Sequence, residues 1–332
     1  MKTIAALAAL SVSTFVYVTI ETLPIGLLLP MAADLRTSAS AVGLLVTWYG
    51  LVVVLTSIPL TRLTRRVPRR YLLAGLLAGS AAATWVAAAA PSYPVLLAAR
   101  VATALTQALF WSLVVPTAAG LFPARVRGRV VAVVFAGSSL AAVLGVPAGT
   151  WLGQQAGWRI AFLALGGLAA ATAAALAVLL PTATPTTGST ARGTAPDARR
   201  YRMLIATTVL AVTGTFVSFT YLAPFLTTVS GFPPAAMSPL LLLRGVAGVA
   251  GVLAGGPLVD HSPRASMLVP VALQTGALLG LSTFIGLPAL AIALVALSGF
   301  AFAALTTALG GRVLEVAPRQ HRPGRSRRIQ RS

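Results

Sequence analysis

Long apolar runs, each interrupted by only a few polar or turn-forming residues, fill most of this chain. A helix needs about 20 apolar residues to cross the hydrocarbon core of a bilayer. Ten runs reach that length: 4–30, 39–60, 71–90, 95–122, 130–154, 160–180, 203–229, 236–259, 266–285 and 288–310. The pattern therefore predicts an all-α polytopic membrane protein of about ten spans. The first run opens Met-Lys, as a secretory signal does, but it overshoots the usual ~7–15 apolar residues and no small-residue cleavage site follows, so it is read as a span. The only long polar stretch inside the chain is PTATPTTGSTARGTAPDARRYR at 181–202, whose composition is that of a linker. It separates a six-helix N-terminal bundle at 1–180 from an incomplete C-terminal bundle of four helices at 203–311, ahead of a basic tail at 312–332. Two half copies are what a repeat-built transporter shows.

Composition agrees with a membrane solvent. Of the 332 residues, 57% are hydrophobic and 9% charged, where soluble domains carry about 25% charged residues. Absence of cysteine excludes a disulfide framework, a thiolate metal site and a cysteine nucleophile. A net charge of +20, from 25 Lys and Arg against 5 Asp and Glu, raises the question of nucleic acid, but the arginines sit in short gaps between apolar runs. With the N-terminus inside, 21 basic residues fall on the inner side and only Arg36 and Arg159 on the outer, leaving Arg100 and Arg244 within spans. That asymmetry predicts a multi-pass membrane protein with the N-terminus and the tail cytoplasmic. The tail RQHRPGRSRRIQRS reads either as a solvated segment touching anionic headgroups or as out-of-frame translation beyond which two further spans are expected.

Glu21 stands alone as an acid inside a span. An ionised carboxylate at bilayer depth costs about 2.5–3.5 kcal/mol on insertion scales, and such residues face a cavity and mark ion or proton paths; the competing reading puts it at the outer headgroups. In the fourth run Arg100, Thr103, Gln107 and Trp111 form a polar stripe at helical spacing, suited to an aqueous path or, for Arg100, to snorkelling. Arg244 in the eighth run either presents a cation to substrate, pairs with Glu21 or snorkels. Thr14, Tyr17, Thr213, Phe216 and Tyr221 are cavity candidates from the first and seventh runs. In the fifth run Gly137, Ala141, Gly145, Gly149 and Gly153 recur every four residues, as where backbones approach closely. No P-loop, metal cluster, or nucleophile with its base is visible, so the chain is read as no enzyme and as using no metal or organic cofactor.

Four segments resemble the major facilitator superfamily, and within it the bacterial drug and sugar efflux proteins of the arabinose-efflux and chloramphenicol-resistance type. They are ETLPIGLLLPMAADL (21–35), the loop TRLTRRVPRR (61–70), AARVATALTQALFW (98–111) and LGVPAGTWLGQQAGWRIAF (144–162), the last similar to the antiporter signature with Gly145, Pro147, Gly149 and Gly153. The likeness covers about residues 5–318. It implies proton-coupled efflux of drugs or sugars by alternating access, with Glu21 and Arg100 coupling protons and Tyr17, Thr103, Gln107, Trp111, Tyr221 and Arg244 lining the substrate cavity. It also implies that Arg65, Arg66, Arg69 and Arg70 form one gating loop and Asp260 with Arg264 a second, and that the fifth and eighth helices pack together through their glycines as a pivot. In the first loop Thr61, Arg65 and Pro68 replace the signature's glycine, aspartate and glycine, so the acid of the inner gate is missing there. The expected partners are a small molecule, protons and lipid, with no nucleic acid and a single chain as the working unit. The alternative is a non-transporting remnant lacking the last two helices.

Overall fold

In the computed structural model the described residues are 2–123, 126–181, 198–261, 265–284 and 286–316, by backbone alone at 127–128, 198–202, 204–205, 208, 211–212, 255–261 and 309–316. They form α1 (Lys2–Gly26), α2 (Leu28–Asp34), α3 (Ala39–Leu63), α4 (Arg69–Ala88), α5 (Tyr93–Gly120), α6 (Arg127–Leu140), α7 (Val146–Ala156) and α8 (Trp158–Leu179). From residue 198 onward come α9 (Ala198–Thr220), α10 (Leu222–Pro224), α11 (Met237–His261), α12 (Ala265–Thr283) and α13 (Pro288–Val316). In lipid every backbone N–H and C=O must be satisfied internally, and helices do this within one segment. Nine helical stretches among the described residues are long and apolar enough to cross a membrane, and they match nine of the ten predicted runs. The remaining run, 203–229, is also helical but is broken into α9, α10 and a π-turn at Phe225–Val229.

Breaks inside predicted runs have local causes. Pro30 falls in the first turn of α2, where its missing N–H does no harm, and the chain turns at Leu27 between α1 and α2. The fifth run divides into α6, a π-turn at Ala141–Gly145 and α7, whose first turn contains Pro147. Between α7 and α8 a single residue, Gly157, reverses the chain at φ 91° and ψ 147°, a conformation that needs glycine. Ser38 caps α3 by accepting from the Ala41 N–H at 3.1 Å.

Buried apolar side chains gather in two clusters, one drawn from residues 7–180 and centred on Leu10, Leu77, Phe110, Phe162 and Leu176, the other from Leu222, Leu226, Met237, Leu240 and Val295. Small residues bring the helices together: Ala81 of α4 and Ala169 and Ala173 of α8 are buried in the first cluster, and Gly166 leaves room for the Trp85 ring.

The glycines of the fifth run point elsewhere than the resemblance implied. Gly137 faces Ser11 and Thr14, Gly145 faces Thr19, Gly149 faces Leu23 and Gly153 faces Leu27, so these glycines run along α1 and end on the turn that follows it. A four-residue step overshoots a turn of 3.6 residues by about 40°, and the strip would wind off a straight partner; the π-turn in its middle unwinds the helix and helps keep it facing α1. The eighth helix, α11, does meet this run, but on another face: Gly245 lies against the backbone of Ala142 and Val143, and Ser238 donates to the Pro147 carbonyl at 2.8 Å. Gly251 and Gly248 of α11 face α13 instead, at Phe300 and Gly299. Gly137→Ala, which drives a methyl into the Ser11 carbonyl oxygen, is expected to destabilise by about 1–3 kcal/mol or more. Gly149→Ala meets only the movable Leu23 Cδ1, and Gly167→Ala meets open space, so both should cost little. Melting temperatures in detergent check the ranking; a Gly137→Ala protein as stable as the other two would remove the rigid seam.

Candidate functional site

Two polar centres lie inside the helical body. The first joins α1, α3 and α5. Gln107 Nε2 donates to Glu21 Oε2 at 2.6 Å, and the Tyr49 hydroxyl donates to Gln107 Oε1 at 2.6 Å. Tyr49 and Gln107 are 1% and 2% exposed, so this relay is shut off from solvent on two sides while Glu21 remains half-buried. Tyr49 was not singled out by sequence, since an aromatic residue at bilayer depth is unremarkable until its hydroxyl is seen to meet a polar side chain.

Arg100 is 1% exposed and does not snorkel. Its Nη1 donates to the Ile20 carbonyl at 2.6 Å, its Nη2 to the Glu21 carbonyl at 2.8 Å, and its guanidinium carbon lies 4.5 Å from the centre of the Tyr49 ring. Sequence explains the first bond: Pro24, four residues after Ile20, has no N–H to give to the Ile20 carbonyl. Arg100 supplies the missing donor. It thus meets Glu21 through the main chain, and among the described residues no ion pair joins the two side chains. The recoverable signal was a proline inside one span and a buried arginine in another.

The second centre is a cavity of about 290 Å³. Val18 and Thr22 of α1 and Ser138 and Ser139 of α6 form one side; Phe216 and Phe219 of α9, Arg244 of α11 and Phe302 of α13 form the other. Arg244 stacks on Phe219 at 4.1 Å and approaches Phe302 at 5.9 Å. It makes no ion pair with Glu21 among the described residues.

Most other cavity candidates lie away from this wall. Tyr17 is wholly buried in the first cluster, its ring 4.4 Å from that of Phe110, because its position on α1 faces α5. Thr103 is buried and turns its hydroxyl back to the Ala99 carbonyl at 3.0 Å. Trp111 stacks on Phe135 with ring centres 6.0 Å apart, packing α5 on α6. Gln107 serves Glu21, as above. Tyr221, 38% exposed, places its hydroxyl over Gly43 of α3. Thr14 bonds the Val134 carbonyl at 2.7 Å, Thr213 is exposed, and of this set Phe216 alone reaches the cavity with Arg244.

At one end of the first bundle Arg159 donates to Asp34 and, at 2.9 Å, to the Ala90 carbonyl, while Trp158 Nε1 donates to Asp34 at 3.0 Å. This ties together the α2 end, the α4–α5 turn and the start of α8. The Arg159 hydrogen bond is the main cause that holds the Asp34 carboxyl below its ordinary value. The tie is therefore present above the usual carboxylate range and is lost as pH falls through the lowered value. At the opposite end Arg65 and Arg66 are exposed, Arg69 is half-buried, and Arg70 Nε donates to the Ala177 carbonyl at 2.6 Å, docking the loop on α8. The Asp260 side chain and Arg264 lie outside the described residues, as do 182–197 of the linker expected at 181–202 and 317–332 of the tail expected at 312–332; the helical pattern reaches further than the apolar runs, since α9 takes in 198–202 and α13 takes in 312–316.

Two sets of membrane-crossing helices around an internal cavity with buried polar groups define a polytopic membrane transporter. The chain belongs to the Major Facilitator Superfamily, which matches residues 10–324. It is 37% identical over 276 residues to a chloramphenicol efflux pump of Mycobacterium tuberculosis (strain CDC 1551 / Oshkosh), covering 82% of this chain and 67% of that one. A probable sugar efflux transporter of Mannheimia succiniciproducens is 33% identical over 309 residues, 92% of this chain and 78% of that one. Among solved structures, a bacterial homolog of the human lysosomal transporter Spinster, inward-facing and occupied, superposes with a TM-score of 0.71 at 18% identity over 91% of this chain and 72% of that one. A D-xylose-proton symporter gives 0.62 at 16% identity, over 92% and 81%. These two likenesses concern the fold.

Proposed function

We propose that this chain exports small organic molecules in exchange for protons, by alternating access from a bacterial plasma membrane with its N-terminus and basic tail on the cytoplasmic side. The observation that carries the reading is Glu21: a half-buried carboxylate held by Gln107, adjacent in sequence to the cavity-wall residue Thr22. Identity with the chloramphenicol pump and the sugar efflux relative supports export of drugs or sugars. Loading a proton on Glu21 removes the charge that Gln107 satisfies and alters the α1–α5 contact. Arg100 keeps the α1 main chain at fixed register on α5 meanwhile, so the change is confined to the carboxyl and what it touches. The exposed arginines at 62, 65 and 66 place positive charge where anionic inner-leaflet lipid attracts it, and a single chain is the working unit. The loop at 61–70 and Asp260 with Arg264 serve as the inner gate.

The test uses everted vesicles acidified inside by respiration, with a pH-sensitive dye reporting proton release. Addition of chloramphenicol, arabinose or an arenesulfonate should discharge part of the gradient only when the chain is present, and radiolabelled substrate should accumulate until a protonophore is added. If no member of the panel does either, proton-coupled efflux is wrong for this chain.

A further inference from the structure

The cavity is electrically lopsided. Arg244 is the one charged residue on its wall among the described residues, with Thr22, Ser138, Ser139, Thr215 and Thr306 as hydroxyls and otherwise mainly apolar groups. A cation enclosed at low dielectric without a counter-ion is costly, yet Arg244 has no ion-pair partner and its Nε no hydrogen-bond partner among the described residues. What holds it is Phe219, at 4.1 Å, with Phe302 at 5.9 Å. An aromatic ring takes the flat face of a guanidinium and leaves the in-plane N–H donors at its edge, in the fork geometry that fits the two oxygens of a carboxylate. Gly299 lacks a side chain where Arg244 Cγ passes, so the arginine leaves α11 without lifting α13 away.

We infer that the cavity takes small amphipathic anions, an apolar or aromatic body bearing one carboxylate or sulfonate, and that Arg244 binds the anionic oxygens. The phenyl groups and aliphatic wall accept the body, and the same cation repels lipophilic ammonium compounds of like shape. The inference rests on reading this cavity as the substrate site, and it deepens the proposed function by naming a substrate class.

A matched series separates charge from shape: 4-phenylbutyrate, 4-phenylbutyramide and 4-phenylbutylamine, titrated calorimetrically into purified protein in detergent at uniform pH. The carboxylate should bind about tenfold or more tighter than the amide, as a charge-assisted hydrogen bond implies, with the ammonium weakest. Arg244→Gln should erase the preference for carboxylate over amide. Arg244→Lys, which keeps the charge and loses the fork, should retain part of it, and this variant carries the test if the glutamine protein does not fold. An ammonium bound as tightly as the carboxylate, no binding by any of the three, or a folded Arg244→Gln protein with an unchanged preference overturns the inference. No pH gradient enters the measurement, so an Arg244-dependent preference beside failed proton exchange in vesicles would sink the coupling and keep the anion site.

Discussion

Glu21→Gln is expected to abolish uphill accumulation while leaving downhill exchange of substrate intact. A pH difference of one unit is worth about 1.4 kcal/mol per proton, enough by itself for about tenfold accumulation of a substrate exchanged one for one. Glutamine cannot carry the proton, so the ratio should collapse to one. It is nearly isosteric and still meets Gln107, which sits 2.6 Å from the carboxylate, so folding and the cavity should survive. Counterflow, with labelled substrate outside and unlabelled inside and no pH gradient, reads the cavity alone. Glu21→Asp, whose shorter arm draws the carboxylate back from Gln107, should accumulate weakly. Accumulation at the parental level by Glu21→Gln would place the proton elsewhere; loss of counterflow as well would make Glu21 part of the substrate path.

Arg100→Ala should destabilise the first bundle by about 2–4 kcal/mol. Two charge-assisted hydrogen bonds are worth about 1.5–3 kcal/mol each and the stacking on Tyr49 up to about 2, while release of a buried cation returns several kcal/mol. Much of the loss should trace to Pro24. Pro24→Ala restores the N–H that the Ile20 carbonyl lacks, so in that background Arg100→Ala should cost about 1 kcal/mol less, the worth of one hydrogen bond. Unfolding of the four proteins in mixed micelles gives the coupling. Equal losses in both backgrounds would show that Arg100 does not substitute for the proline's absent donor.

Span positions were legible because a bilayer imposes length and apolarity on each helix separately, and both are properties of consecutive residues. Glu21, Arg100 and Arg244 stood out for the same reason, as charges where charge is expensive. Which neighbour each helix face meets is a different kind of fact. The glycine strip at 137–153 announced close packing without naming α1 as its partner, and the polar stripe on α5 announced a polar environment without saying that Thr103 would bond its own helix. Tyr17 and Phe216 both read as cavity aromatics, yet one faces α5 and the other the cavity, which depends on helix rotation. The Asp34–Arg159 tie joins residues 125 apart, and only the convergence of three connections at one end brings them together.

Helix α1 has an engagement on every side that carries a named residue. Glycine-fitted contacts hold it to α6 and α7, Arg100 grips its main chain from α5, Glu21 meets Gln107, and Val18 and Thr22 wall the cavity. A rod meshed in this way cannot slide lengthwise without unseating the contacts of Gly137, Gly145 and Gly149 together. Its available freedoms are to tilt with α6 and α7 as one lever or to roll within the seam, and either would swing Glu21 and the cavity wall as a single part.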